Sequence, residues 1–361
     1  MRRLSAAEVE PGMILARNLT DSFHNLVLKE QQALTEAVIQ KLPIYGVDDL
    51  FIEDDRVADI SVEPLVPPDV EAQITQGLQT LYTECAGTGM LDESMLELVV
   101  RPIHEIASEF FPVGLSELNT APCQSPADHL FRLPARAAGL AMLLASLAGL
   151  NEDQTADVGV AAALMNIGYL SLPQDVVFTR SPLTPVQRNE MKKHPVHGYV
   201  LLKDKKQLPP WIALAVLQSH ELLNGSGYPR GIAGSEIKQM ERIVTIADTY
   251  FTLISPFNYG KRHSRHDAIE YIMGYAGELF DTQIATLLAR KVAVYPSGSQ
   301  LDISTGETGI VVEPNAGHPG RPKLRIVKDK DGFDVKPDEL VDMDLADPRN
   351  RQRVIVEYDA A

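Results

Sequence analysis

Cysteine is scarce: the 361 residues hold two, Cys85 and Cys123. They form no Cys-x-x-Cys pair, so neither a disulfide framework nor a zinc knuckle is expected, and both read as reduced thiols of a cytoplasmic protein. Basic residues are in deficit, with 33 Lys and Arg against 49 Asp and Glu and a formal net charge of −16. Nucleic-acid backbones and anionic membranes attract basic patches, so neither a nucleic-acid polymer nor a membrane surface is an expected partner. Uncharged apolar runs stay short of the ~18 residues of a membrane span, so no membrane insertion is expected. The first residues, Met1-Arg2-Arg3-Leu4-Ser5, are not followed by the apolar segment of a secretory signal. Internal repeats and low-complexity segments are lacking too.

What is present is a chain that can bury a core. Hydrophobic residues make up 45%, too many for a disordered polymer. The pattern predicts a mainly α protein: an all-helical core with a small N-terminal α/β domain and a C-terminal β module. Residues 1–66 read as the α/β domain. Short apolar runs at 13–16, 26–28 and 50–52 predict strands, and 35–42 predicts a helix with Thr35 as its N-cap. Pro64, Pro67 and Pro68 mark a boundary. Residues 67–118 read as a helical linker, with stripes at Ile74, Leu78 and Leu81 and at Met95, Leu98, Val99, Ile103 and Ile106. From 119 to 295 the pattern is helical, with helices expected at 137–148, 156–167, 185–202, 210–222, 237–254 and 266–279. Residues 296–361 read as a β-rich module, with strands at 309–312, 323–327 and 353–356.

One string is more specific than any helix. Residues 219–231 run Ser219-His220-Glu221-Leu222-Leu223-Asn224-Gly225-Ser226-Gly227-Tyr228-Pro229-Arg230-Gly231. A helix that ends in a polar head and a Gly/Pro loop accounts for the glycines and proline, and not for the whole string.

The string resembles the signature of HD-GYP domains, bacterial phosphodiesterases that open cyclic di-GMP. The family form is His-His-Glu followed by Asp-Gly-x-Gly-Tyr-Pro. This chain keeps His220, Glu221, Gly225, Gly227, Tyr228 and Pro229, and has Ser219 and Asn224 for the first His and the Asp. Three further segments are similar to family segments: Met191-Lys192-Lys193-His194-Pro195 with Gly198, Ile246-Ala247-Asp248-Thr249-Tyr250, and Phe280-Asp281. The resemblance covers about residues 129–290. More weakly, residues 1–66 resemble a small domain often found ahead of such modules.

The resemblance implies a helical core holding two or three divalent metals, which activate a hydroxide and neutralise the phosphate. The departures fall on that centre. The family's first His falls on Leu133, its His-Asp pair on Met165 and Asn166, and its following Lys on Tyr169. A thioether is a poor ligand for hard divalent ions, and Asn lacks the charge of a bridging carboxylate. A further family Asp falls on Phe251 and its guanine-side Arg on Phe257, with Tyr259 and Lys261 nearby. His194, His220 and Asp248 remain as implied metal ligands, with Glu221 beside them as a supporting partner. His129, one turn before Leu133, could replace a ligand but reads rather as a surface histidine, and His197 reads as exposed.

A degenerate member of the family is therefore expected: not an enzyme, with no resident cofactor, acting as a signalling adaptor for a protein partner of a bacterial pathway. One alternative is a residual cyclic di-GMP phosphodiesterase on one divalent metal. The other is a receptor that binds cyclic di-GMP without cleaving it.

Overall fold

The computed structural model describes residues 1–21, 26–45, 47, 49–60, 65–88, 91–107, 128–179, 182–255, 263–315 and 317–356. They form two compact units. One is built from Met1–Pro64 with Arg290–Ala361, the other from Leu65–Val113 with Pro122–Ala289. The expected mainly α architecture, with a small N-terminal α/β region and a C-terminal sheet, is what the chain adopts.

In the first unit, β1 (Arg2–Ser5), β2 (Leu19–Thr20) and β3 (Leu26–Leu28) precede two single-turn helices, α1 (Glu36–Ile39) and α2 (Leu42–Tyr45), and then β4 (Asp49–Ile52). β1 pairs antiparallel with β4, and β2 with β3. Thr35 caps α1 as expected, its hydroxyl accepting from the Val38 amide at 3.3 Å. The strand expected at 13–16 is reduced to isolated bridges from Ile14 and Leu15. β4 takes β1 as its ladder partner, and the Arg-Arg start of β1 hides its strand pattern. The C-terminal strands are β5 (Gln300–Ile303), β6 (Thr308–Glu313), β7 (Lys323–Lys328), β8 (Val341–Asp344) and β9 (Ile355–Val356). They form one antiparallel sheet in the order β8-β7-β6-β5-β9. Val57 and Ile60 bury against Ile310 and Val327. Arg325 forks onto Asp59 at 2.5 Å and Asp342 at 2.8 Å, so the N-terminal residues and the sheet share one core.

The second unit is helical. α3 (Pro68–Thr88) and α4 (Glu93–Ala107) pack together. A π-helical turn, Asp128–Arg132, runs into α5 (Leu133–Leu147), which packs on α6 (Glu152–Leu164) and α3. A 3-10 turn at Ile167–Ser171 follows, then α7 (Gln174–Val177), α8 (Pro185–Met191), α9 (His194–Leu202), α10 (Pro210–Gln218), α11 (Gln239–Ile254), α12 (Arg265–Gly274) and α13 (Thr282–Lys291). α5 is the central helix: Leu133 to Ala145 are all buried. Within it Arg136 reaches Glu71 of α3 at 2.8 Å, both side chains buried, so the pair satisfies two charges that would be costly alone.

Among the described residues the segment His129–Leu147, which contains Arg132 and Arg136, is long and apolar enough to cross a membrane. It is 83% buried, as a core helix is. Asn151 and Gln154 form a reciprocal cap at the start of α6, as Thr184 and Gln187 do for α8.

The run expected at 266–279 ends at Gly274, and two expected helices are interrupted beside the site. The run 185–202 breaks at Lys192 and Lys193 into α8 and α9, because Pro195 lacks an amide hydrogen and suits only a first turn. The run 210–222 stops at Gln218, which releases His220 and Glu221 from helical geometry.

Gly168 lets the 3-10 turn press against α9. A Cβ there would lie 1.8 Å from the His194 carbonyl oxygen and 2.6 Å from the Gly198 nitrogen. Backbone cannot yield as a flexible side chain can, so Gly168→Ala should destabilise the helical unit by about 3 kcal/mol or more. Urea unfolding followed by circular dichroism would measure it, and a loss under about 1 kcal/mol would contradict this packing.

Candidate functional site

The breaks around α9 and α10 bring three side chains into a row. His194 starts α9 and is buried; its Nδ1 lies 2.7 Å from the Met191 carbonyl oxygen. Its Nε2 lies 3.0 Å from Nε2 of His220. Nδ1 of His220 lies 3.4 Å from Asp248 Oδ2, on the buried face of α11.

Hydrogen-bond accounting fixes the order of donors. The Met191 carbonyl can only accept, so Nδ1 of His194 carries the hydrogen. In a neutral ring Nε2 of His194 is then an acceptor, and Nε2 of His220 donates to it. Nδ1 of His220 is left as a lone pair facing Asp248, which complements a protonated carboxyl. Burial acts in the same direction. It pushes Asp248 up to about 7, against a hydrogen bond from Thr252. It also pulls His220 down to about 4 and His194 well below the ordinary imidazole value.

Aromatic rings enclose the row. Tyr169 lies 4.4 Å from the His194 ring, and Tyr228 stacks on His220 at 4.8 Å with 10° between planes. Lys192 Nζ sits 5.3 Å from the centre of the Tyr228 ring, giving a cation–π contact.

Residues 221–237 form a loop held by its own hydrogen bonds. Gly225 and Gly231 have positive φ, at 79° and 64°. Gly227 has no space for a Cβ, which would lie 2.5 Å from the His220 carbonyl oxygen. The Tyr228 amide donates to that same oxygen at 3.1 Å. Asn224 Oδ1 accepts from the Ser226 amide at 3.0 Å and the Ser226 hydroxyl at 2.6 Å. That turn needs only a side-chain oxygen at the first position, so Asn serves where the family has Asp. Glu221, expected beside the metal ligands, accepts from the Arg230 amide at 2.7 Å and secures the loop.

Arg242 of α11, which the sequence reading passed over, holds the far side. It donates to the Ile237 and Gly234 carbonyls and to Asp281, each at 2.8 Å. Asp281 in turn accepts from the Gln283 and Ile284 amides at the start of α13. An Arg spaced one turn and a half before Asp248 on the same helix was the available signal.

The positions read as departures are all interior. Leu133, Met165, Asn166, Tyr169 and Ser219 are buried. The Ser219 hydroxyl is spent on the Val216 carbonyl at 3.0 Å, and the Asn166 carbonyl accepts from Tyr82 at 2.6 Å. His129 is a correction: it is buried, with its ring 6.1 Å from Tyr169, and burial pulls it down to about 4. The π-helical turn rotates it inward, so it lies among the same rings. His197 is half-buried rather than exposed. Phe251 is buried against Tyr250. Phe257, Tyr259, Lys261 and Cys123 lie outside the described residues, and Cys85 is buried and forms no disulfide with a described residue.

Could His194, His220 and Asp248 hold a divalent metal? His194 addresses one nitrogen of His220 and Asp248 the other, so the donors form a line and do not converge. Among the described residues no group of three or more His, Cys, Asp or Glu is arranged to hold a metal ion. In this arrangement the donor set does not fit a resident metal.

Residues 123–284 match the family described as "HD domain", and residues 301–357 match "KOW domain associated with HD domain". The chain is 34% identical over 156 residues to the cyclic di-GMP phosphodiesterase response regulator RpfG of Xanthomonas campestris pv. campestris, covering 43% of this chain and 41% of that protein. It is 26% identical over 212 residues to the cyclic di-GMP phosphodiesterase PA4108 of Pseudomonas aeruginosa, covering 59% and 51%. The chain thus spans about half or less of these curated relatives. Bd1817, a HDG"Y"P protein from Bdellovibrio bacteriovorus, aligns with a TM-score of 0.46 and 15% identity, over 79% of this chain and 97% of that one.

Arg242→Met keeps the aliphatic stem and removes all three donations. It should lower stability by roughly 2–3 kcal/mol and speed amide exchange between residues 223 and 237 while α5 stays protected. Hydrogen exchange with mass spectrometry reads both, and unchanged loop exchange would remove Arg242 from this role.

Proposed function

The helical domain of this chain belongs to the HD-GYP family, and from that premise we propose that it is a degenerate, non-hydrolysing member, a cytoplasmic signalling protein that acts through contacts with a protein partner. The observation that carries this reading is the row Met191–His194–His220–Asp248, whose imidazole nitrogens are spent on one another and on protein groups. Around it, Leu133 and Met165 bring apolar bulk and Ser219 a hydroxyl already donated to its own helix.

The chemistry argues the same way. Opening a phosphodiester needs an activated hydroxide and neutralisation of the phosphate. Asn166 offers no negative charge to bridge two cations, and Tyr169 offers no positive charge to the phosphate. Each such group commonly supplies several kcal/mol, and ~1.4 kcal/mol is tenfold in rate. Two losses together lower the rate by roughly a thousandfold or more.

The relatives named above are cyclic di-GMP phosphodiesterases, so cyclic di-GMP is the nucleotide to test. Purified protein should carry less than one equivalent of transition metal by mass spectrometry. It should release neither linear dinucleotide nor GMP after prolonged incubation with cyclic di-GMP and Mn²⁺ or Fe²⁺. Stoichiometric product, or two metals per chain, would overturn the reading. Calorimetry with the same nucleotide separates adaptor from receptor: binding without turnover would make this chain a receptor.

A further inference from the structure

The C-terminal sheet of the KOW domain ends in a strand with an open side. β8 pairs with β7 and has no second neighbour among the described strands. Its sequence, Val341-Asp342-Met343-Asp344, alternates apolar and acidic. Side chains of a strand point alternately to its two faces. Val341 and Met343 therefore share one face, and Asp342 and Asp344 the other.

The apolar face opens onto a groove of about 290 Å³, floored by Ile326, Val335, Val341 and Met343. Glu307, Asp329 and Glu339 stand around it with a single ammonium, Lys330. Arg353 offsets Glu307 at 3.3 Å, and the rim keeps a negative balance. Val341 is 61% exposed, an unusual state for an apolar strand residue beside an apolar floor. On the other face Asp342 is held by both arms of Arg325 and lies 4.0 Å from Lys323, while the Asp344 carboxylate accepts from the Ala346 amide at 2.8 Å and its carbonyl from Asn350 at 2.7 Å, leaving Val341 to Met343 as the open stretch.

We propose that the open edge of β8 and its groove seat an extended segment of a partner protein in which apolar residues alternate with Lys or Arg. Such a segment adds as a further strand, so main-chain hydrogen bonds supply the register. Its apolar side chains fall beside Val341 and Met343 over the groove, flanked by the rim carboxylates of Asp329 and Glu339, and its cations fall on the opposite face toward Asp344. The acidic edge disfavours the competing occupants. A second copy of this chain would set carboxylates against carboxylates across the pair, which destabilises a ladder. A nucleic-acid backbone would meet the carboxylates of the rim. This surface is separate from the loop at residues 221–237, and the proposal does not rest on whether the helical domain hydrolyses anything.

The test uses the intact chain and two fluorescein-labelled synthetic peptides, one alternating Val and Lys and one alternating Ser and Lys, read by fluorescence anisotropy. Both carry the same charge, so simple attraction to an acidic protein affects them alike. The Val-Lys peptide should bind about tenfold tighter or more. Val341→Asp removes the apolar contact, adds to the acidic edge, and changes an exposed residue; it should erase that preference while circular dichroism stays native. Equal binding of the two peptides, no binding of either, or a preference that survives in V341D would each overturn the proposal.

Discussion

A carboxylate and several imidazoles buried in one helical core must be neutralised by something. In this chain the neutralising agent is hydrogen: His194 donates from Nδ1 to the Met191 carbonyl, His220 donates from Nε2 to His194, and a protonated Asp248 faces Nδ1 of His220. Burial holds the imidazoles neutral and raises the Asp248 carboxyl to about 7, so the row is uncharged when that carboxyl is protonated. The residues around it follow from that condition. Leu133 and Met165 are tolerated because the row asks nothing of them, and Ser219 because its hydroxyl is satisfied one turn back. Tyr169 and Tyr228 cover the rings with apolar faces instead of water.

The helices were legible because their periodicity is local. The Ala/Leu run before residue 148 and the polar-capped run after Asn151 carry their own start and stop chemistry. What failed was also local, but subtler. Pro195 reads as part of one long apolar segment, yet the missing amide hydrogen breaks it, and the break is what turns His194 toward His220. His129 was misjudged because a π-helical turn shifts the face on which it lies, and no residue pattern announces such a turn. β1 escaped notice because its arginines are paired with carboxylates, Arg3 with Asp49 at 2.5 Å, and a charged strand gives no alternation to read.

At the site, the sequence named the participants and not their arrangement. His194, His220 and Asp248 do meet. Spacing cannot say which nitrogen of His220 faces which neighbour, and that orientation separates a line of donors from a convergent set. Glu221 shows the same limit: its place beside His220 suggests support for the centre, while its oxygen is given to the Arg230 amide. Asn224 stands in the signature loop where the pattern has Asp, and as a turn-former it loses nothing, since the amide oxygen accepts as a carboxylate oxygen would. The sharing of one core by the N-terminal residues and the C-terminal sheet rests on ion pairs such as Arg325 with Asp59, formed between residues hundreds of positions apart.

Arg242 grips two carbonyls and Asp281 at once, and each of its donations is charge-assisted. Three of the guanidinium's five N–H donors are thus spent on protein groups, and the segment they clamp is shaped before any ligand arrives. Whatever docks on that rim meets a rigid template, and association there forfeits little chain freedom.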